Sequence, residues 1–197
     1  MKYKKIAFAS AFLLAALTPQ LQAQDIYKDW LGVTSDDWSD SSNWQDGYIP
    51  GTDPSSDTAR IYNNTTSSPD STAYNTALKS GSISLDRVWL GNSGDSNESG
   101  VLTVESGASL TTSGDFNLEN NSTLTSSGAI LVNTGNGMIL RDNSNLTLMD
   151  GGTLNKLLLE QNSTATLEAG SAVTTIGNIN NSAHLTLNTS YTGNMFN

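Results

Sequence analysis

Two short motifs recur in the second half of the chain with one shared period, and nothing else in the sequence constrains the fold as tightly. The first reads apolar, two spacers, Gly, two spacers, apolar. It occurs as Val104-Glu-Ser-Gly107-Ala-Ser-Leu110, Leu148-Met-Asp-Gly151-Gly-Thr-Leu154 and Leu167-Glu-Ala-Gly170-Ser-Ala-Val173, with a weaker copy at Thr125-Ser-Ser-Gly128-Ala-Ile-Leu131. Its glycines are 21, 23 and 19 residues apart. The second motif lies between these copies: Leu118-Glu-Asn-Asn-Ser-Thr-Leu124, Leu140-Arg-Asp-Asn-Ser-Asn-Leu146 and Leu159-Glu-Gln-Asn-Ser-Thr-Ala165, with Ile179-Asn-Asn-Ser-Ala-His-Leu185 as a looser fourth. Its starts are 22, 19 and 20 residues apart. Two independent motifs with one period define a structural repeat.

The repeat unit contains strands. Apolar residues alternate at Phe116/Leu118, Leu146/Leu148, Leu157/Leu159 and Leu185/Leu187, the period-2 pattern of a strand buried on one side. Ser, Thr and Asn make up 71 of the 197 residues, and with 17 Gly that is too much for helix interiors. One 20-residue unit cannot bury its apolar face alone, whereas stacked units can, each strand pairing with its counterpart one coil later. The expected fold is therefore all-β: a β-solenoid, or parallel β-helix, of about five coils starting near Val88, Phe116, Met138, Leu157 and Ile176. At a strand spacing of about 4.8 Å, such a rod is roughly 24 Å tall.

The register predicts stacks of side chains. Asn121, Asn143 and Asn162 share a motif position and should form a ladder at a turn, where Asn tolerates left-handed backbone and its amide can bond to the coil above. Ser122, Ser144 and Ser163 stack beside them. Glu119, Arg141 and Glu160 share another position, so adjacent coils alternate in charge and avoid like-charge repulsion. His184, the single histidine, precedes an inward Leu185 and should point outward.

The first half is different. Lys2, Lys4 and Lys5 precede an apolar run from Ile6 to Leu17, followed by Leu21-Gln22-Ala23, so residues 1–23 read as a secretory signal peptide cleaved after Ala23. Its 12-residue apolar run is too short to span a bilayer, and no second span follows. Removing it takes three of the nine basic residues and none of the 19 acidic ones, leaving a net charge of −13. Residues 24–87 form an N-terminal cap region and residues 88–197 the solenoid. All four tryptophans, Trp30, Trp38, Trp44 and Trp89, lie at or before residue 89. A solenoid has open strand edges at its ends, and Trp-rich packing would cover one. The competing reading makes Trp30, Trp38 and Trp44 an aromatic platform for a glycan.

Composition excludes several chemistries. Clustered basic side chains for phosphate neutralisation are missing, which argues against nucleic-acid partners. Cysteine is absent, removing disulfides, thiol catalysis and thiolate metal sites, and one histidine gives no His-based dyad. No motif position carries acids in consecutive coils, as a paired acid/base site for glycan cleavage would favour. No catalytic residue and no cofactor is assigned. The one weak metal pattern is Asp95-Ser-Asn97-Glu-Ser99-Gly100, with Glu105 one residue short of the position where a calcium loop places its bidentate acid.

Several of these residues carry a family likeness. Trp38 to Asn43-Trp44, then Gly47, Pro50-Gly51 and Asp57-Thr-Ala-Arg-Ile61, resemble the opening of large repetitive exported proteins of Gram-negative bacteria. Val88-Trp-Leu-Gly-Asn92 and Gly100-Val-Leu-Thr-Val-Glu-Ser-Gly107-Ala-Ser-Leu110 resemble their solenoid repeats. These are autotransporter-passenger-like proteins, often accompanied by a PEP-CTERM sorting tail or an outer-membrane barrel. The resemblance implies a secreted or cell-surface structural or adhesive protein, an adhesin without catalytic activity. Its implied partners are a surface or extracellular polysaccharide or protein, or a second copy through the open C-terminal coil. The sequence departs from the family after Met195-Phe196-Asn197, where neither barrel nor sorting helix follows. A fragment of a larger passenger, a truncated product and a short member are the three readings this leaves open. A glycan-binding module and, less favoured, a polysaccharide-active enzyme are the alternatives.

Overall fold

The computed structural model describes residues 26–51, 57–62, 75–92, 94 and 98–195. The leader assigned to residues 1–23 lies outside them. Among the described residues no helix is long and apolar enough to cross a membrane.

Strands run parallel on three faces, and the coils from β2 to β15 place a strand on each. The first face contains β1 (Ile26–Asp29), β2 (Asp57–Ile61), β5 (Arg87–Leu90), β8 (Phe116–Leu118), β11 (Met138–Leu140) and the C-terminal halves of β13 (Thr153–Leu159) and β15 (Ala172–Ile179). The second contains β3 (Thr76–Leu78), β6 (Val101–Val104), β9 (Thr123–Ser126), β12 (Asn145–Leu148), β14 (Thr164–Leu167) and β16 (His184–Leu187). The third contains β4 (Gly81–Leu85), β7 (Ala108–Thr112), β10 (Ala129–Val132) and the N-terminal halves of β13 and β15. A two-residue β17 (Asn194–Met195) adds to β15.

The five coil starts read from the sequence fall in register with one another: Val88, Phe116, Met138, Leu157 and Ile176 are successive Cα partners. All five are fully buried. Leu90, Leu118, Leu140 and Leu159 form the next inward row, and Leu102, Leu124, Leu146 and Ala165 face them from the second face. Burying a Leu, Ile or Val side chain in this way contributes about 1.5–3 kcal/mol relative to exposure.

Four successive corners between the first and second faces, after β8, β11, β13 and β15, turn on two consecutive left-handed residues. They are Asn120-Asn121, Asp142-Asn143, Gln161-Asn162 and Asn181-Ser182, with φ between +50° and +64°. The expected asparagine ladder is present as a backbone feature, but the bond is not the side-chain amide. The backbone N–H of Asn121 donates to Asp142 O (2.9 Å), that of Asn143 to Gln161 O (3.2 Å) and that of Asn162 to Asn181 O (3.0 Å). The side chains of Asn121, Asn143 and Asn162 are exposed, where water competes for their amides. Ser122, Ser144 and Ser163 instead turn fully inside. Ser122 Oγ accepts from Gly100 N (2.9 Å) and Ser163 Oγ from Glu160 N (3.1 Å), while Ser144 Oγ has no partner among the described residues.

Two expectations need correction. The boundary at residue 87/88 cuts through the stack, because Lys28 and Ala59 occupy the two rungs before Val88, and β3 and β4 open the other faces. The long segments between these early rungs hide the period from the sequence. The weaker glycine motif is also out of register. Val104 pairs with Ser126 and Leu110 with Ile130, so this corner is two residues shorter than its counterparts. Ile130 is therefore the buried residue and Leu131 is 43% exposed, since a one-residue slip on a strand exchanges its faces. Gly128 fits because a Cβ there would lie 2.5 Å from Ala108 O and 2.6 Å from Glu105 O.

The tryptophans do cap the stack. Residues 36–38 add to the open edge of β3, with Ala77 N donating to Asp36 O (2.6 Å) and Trp38 N to Ala77 O (2.9 Å). Trp44 packs edge-on against both Trp30 (5.0 Å between centroids) and Trp38 (4.7 Å). Trp44 Nε1 donates to Trp38 O (2.7 Å). Buried Asn43 ties the cap together: its Oδ1 accepts from Thr34 N and Ser35 N, and its Nδ2 donates to Ser35 Oγ and Asp37 O.

A candidate ligand cleft on the first face

The outward side chains of the first face form two parallel rows. One runs Asp29, Arg60, Trp89, Asn117, Ile139, Leu158; the other runs Tyr62, Gly91, Glu119, Arg141, Glu160, each following its strand by one further outward step. Gly91 contributes no side chain to the second row, so a gap opens between Tyr62 and Glu119. It cannot be filled locally: Gly91 has φ +75°, and a Cβ there would collide with the next coil at Glu119 O and Ser122 Oγ. The gap is a cleft of about 200 Å³ lined by Arg60, Tyr62, Trp89, Gly91, Asn92, Asn117 and Glu119.

Its walls are fixed. Arg60 donates from Nε and NH2 to the two oxygens of Asp29 (2.5 and 2.7 Å), a fork-to-carboxylate pair across one rung. The guanidinium lies over Tyr27 (4.7 Å) and against Tyr62 (5.8 Å). Burial lowers the Arg60 pKa, but the hydrogen bond and charge of Asp29 outweigh it and leave the group above its ordinary value. Burial pushes the Tyr62 phenol up to about 12, opposed by Arg60 and assisted by Asp29, Glu98 and Glu119. Trp89 leans on Tyr27 at 5.8 Å. On the rim, Asn92 Nδ2 donates to Glu98 Oε2 (2.7 Å). Glu119 faces Arg141 (3.7 Å), which also holds Glu160 (2.9 Å). The expected Glu119–Arg141–Glu160 alternation is thus a continuous ion-pair chain leaving the cleft. Two lining residues carry a polar atom that is closed to solvent and has no hydrogen-bond partner among the described residues: Trp89 Nε1 and Asn117 Oδ1, on adjacent rungs.

The residues singled out in the sequence are distributed otherwise. Trp30, Trp38 and Trp44 are 4%, 0% and 1% exposed, so no ring face is available to a glycan there; their place is the cap. Of the calcium candidates, Asp95 and Asn97 lie outside the described residues. Ser99 and Glu105 lie on either side of the four-residue β6. No group of three or more His, Cys, Asp or Glu among the described residues could hold a metal. His184 is exposed, as its neighbour Leu185 required. Arg60 and Tyr62, with Asp29 behind Arg60, are not legible as a site in the sequence, because residues 30–56 and 62–86 separate first-face strands that the fold brings side by side. The signal was the apolar match of Ala59-x-Ile61 to Val88-x-Leu90, which sets Arg60 beside Trp89.

The second face carries a different surface. Thr103, Thr125, Thr147, Thr166 and Thr186 are successive register partners, all outward, giving one threonine per coil across five coils.

Comparison with protein-family models, curated proteins and solved structures finds no match.

Proposed function

We propose that the chain is an exported, non-catalytic β-solenoid with a structural and adhesive role on the surface of, or outside, a Gram-negative bacterium, as the autotransporter-passenger-like resemblance implies. The observation that carries this reading is the in-register threonine row. A rigid, repeated array of hydroxyls and methyls at strand spacing suits contact with an extended surface rather than turnover of one bond. The ion pairs support the same reading. Asp29 is held by Arg60, Asp36 by Lys79, and Glu119 and Glu160 flank Arg141, so these carboxylates neutralise cations instead of facing each other across a substrate. The basic leader motif at residues 1–23 and the acidic remainder support export. The partners are a surface or extracellular polysaccharide or protein.

Expression with its own leader in a Gram-negative host tests the reading. The expected result is a mass corresponding to cleavage after Ala23, protease accessibility on intact cells or recovery from the medium, and adhesion of protein-coated beads to polysaccharide-bearing surfaces. An uncleaved, intracellular product overturns export. A processed protein whose beads adhere no better than albumin-coated ones overturns the adhesive role.

A further inference from the structure

We propose that the Gly91 cleft binds one ring of a neutral sugar, through Trp89 and Tyr62 as apolar walls and Asn92, Asn117 and Arg60 as the polar frame. This rests on the adhesive reading above and names its ligand class.

Size is the first argument. About 200 Å³ lies below the range of roughly 300–1,000 Å³ typical of drug-sized ligands, and suits a single small ring. The lining is the second. Sugar rings present C–H groups on their faces and hydroxyls at their edges, so they need an aromatic wall beside closely spaced donors and acceptors. Trp89 and Tyr62 supply the first, and Arg60, Asn92 and Asn117 the second.

Charge selects the neutral class. Arg60 is the lining's cation, and Asp29 already occupies its fork. Glu119, partly answered by Arg141, lines the cleft and Glu98 stands at its rim, so an anionic sugar adds like charge beside two carboxylates. A cation meets Arg60 directly.

Trp89 provides the readout, because it alone among the four tryptophans is not buried. The purified protein is titrated with glucose, galactose, mannose and N-acetylglucosamine, with dextran and a galactan as neutral polymers, and with polygalacturonate as the anionic control. The expected result is a saturable shift of tryptophan emission with a neutral sugar, weak or absent with polygalacturonate. The shift should disappear in Trp89→Phe. Binding, followed calorimetrically, should weaken roughly tenfold or more in Asn117→Ala, the scale of one lost hydrogen bond at a buried group. Circular dichroism and thermal melting confirm that each variant is folded; if Trp89→Phe is not, Asn117→Ala and Asn92→Ala carry the test. No response to any neutral sugar, a response unchanged in Asn117→Ala, or a preference for polygalacturonate overturns the proposal. Adhesion separates it from the broader reading. Beads that still adhere although no neutral sugar binds leave an adhesive protein without this site. Sugar binding by a protein whose beads do not adhere leaves the site and removes the adhesive role.

Discussion

Arg141 donates from Nε to Oε2 of Glu160 one coil later at 2.9 Å, and the same guanidinium lies 3.7 Å from Glu119 one coil earlier. One cation therefore spans three coils. Arg141→Ala is expected to leave two like charges two coils apart and lower stability by about 0.5–1 kcal/mol, discounted for the partial exposure of the group. A double-mutant cycle with Glu160→Gln, followed by denaturant midpoints at low and high salt, measures it. Additive effects that do not depend on salt would remove the pair from the account.

The shortened corner before β10 gives a sharp contrast between neighbours. Ile130→Ala should cost about 2–4 kcal/mol, because it opens a cavity between Leu110 and Leu154. Leu131→Ala should stay within about 0.5 kcal/mol, being a surface change. Thermal or denaturant melts of the two variants decide, and the reverse order would mean that the register is wrong by one residue.

At the left-handed corner, Asn143 has φ +61°. Asn143→Gly should be close to neutral, whereas Asn143→Val should lose about 1–2 kcal/mol to steric strain. Equal effects would show that the side chain, rather than the backbone conformation, is what the position needs.

Tyr62 makes alkaline stability diagnostic. Its phenol ionises near 10 in the unfolded chain and at about 12 in the folded one. The unfolded state thus releases its proton first. The contribution of the neutral phenol is intact below pH 10 and declines as pH rises toward 12. Tyr62→Phe should flatten that decline, and absorbance at the phenolate band should lose its latest-titrating tyrosine in the variant, the smaller rise at Tyr191 remaining. Identical alkaline profiles for parent and variant would contradict the buried placement.

The cap is expected to behave as one unit. Trp44→Ala removes a fully buried ring and both edge-on contacts, and should cost about 3–5 kcal/mol. It also bares the β3 edge, so concentration-dependent association should appear by light scattering. A monomeric variant of unchanged stability would show that the tryptophan cluster does not guard that edge.

Repetition decides how much of this was readable. Where coils follow each other every 19–22 residues, the sequence yields strand positions, inward rows and the Glu119–Arg141–Glu160 chain, because one error in alignment would spoil every later match. At Thr125–Leu131 the glycine looked aligned while the corner had lost two residues, and glycine alone does not distinguish a left-handed corner from a close backbone approach. Clustered tryptophans signal packing, and that holds for Trp30, Trp38 and Trp44; Trp89 belongs with Arg60 and Asn117, a set visible only once rungs separated by long insertions are placed side by side. The threonine row was present in the letters at Thr103, Thr125, Thr147, Thr166 and Thr186, but outward polar residues leave no apolar period to notice.

Register partners from Val88 to Ile176 are spaced 28, 22, 19 and 19 residues apart, although each coil advances the stack by the same single strand spacing of about 4.8 Å. Extra sequence therefore lengthens the circumference and never the axis. Such a chain can acquire or shed whole decorations at its corners while everything above and below stays at the same height, which leaves the corners as the places where new recognition chemistry can be added without rebuilding the column.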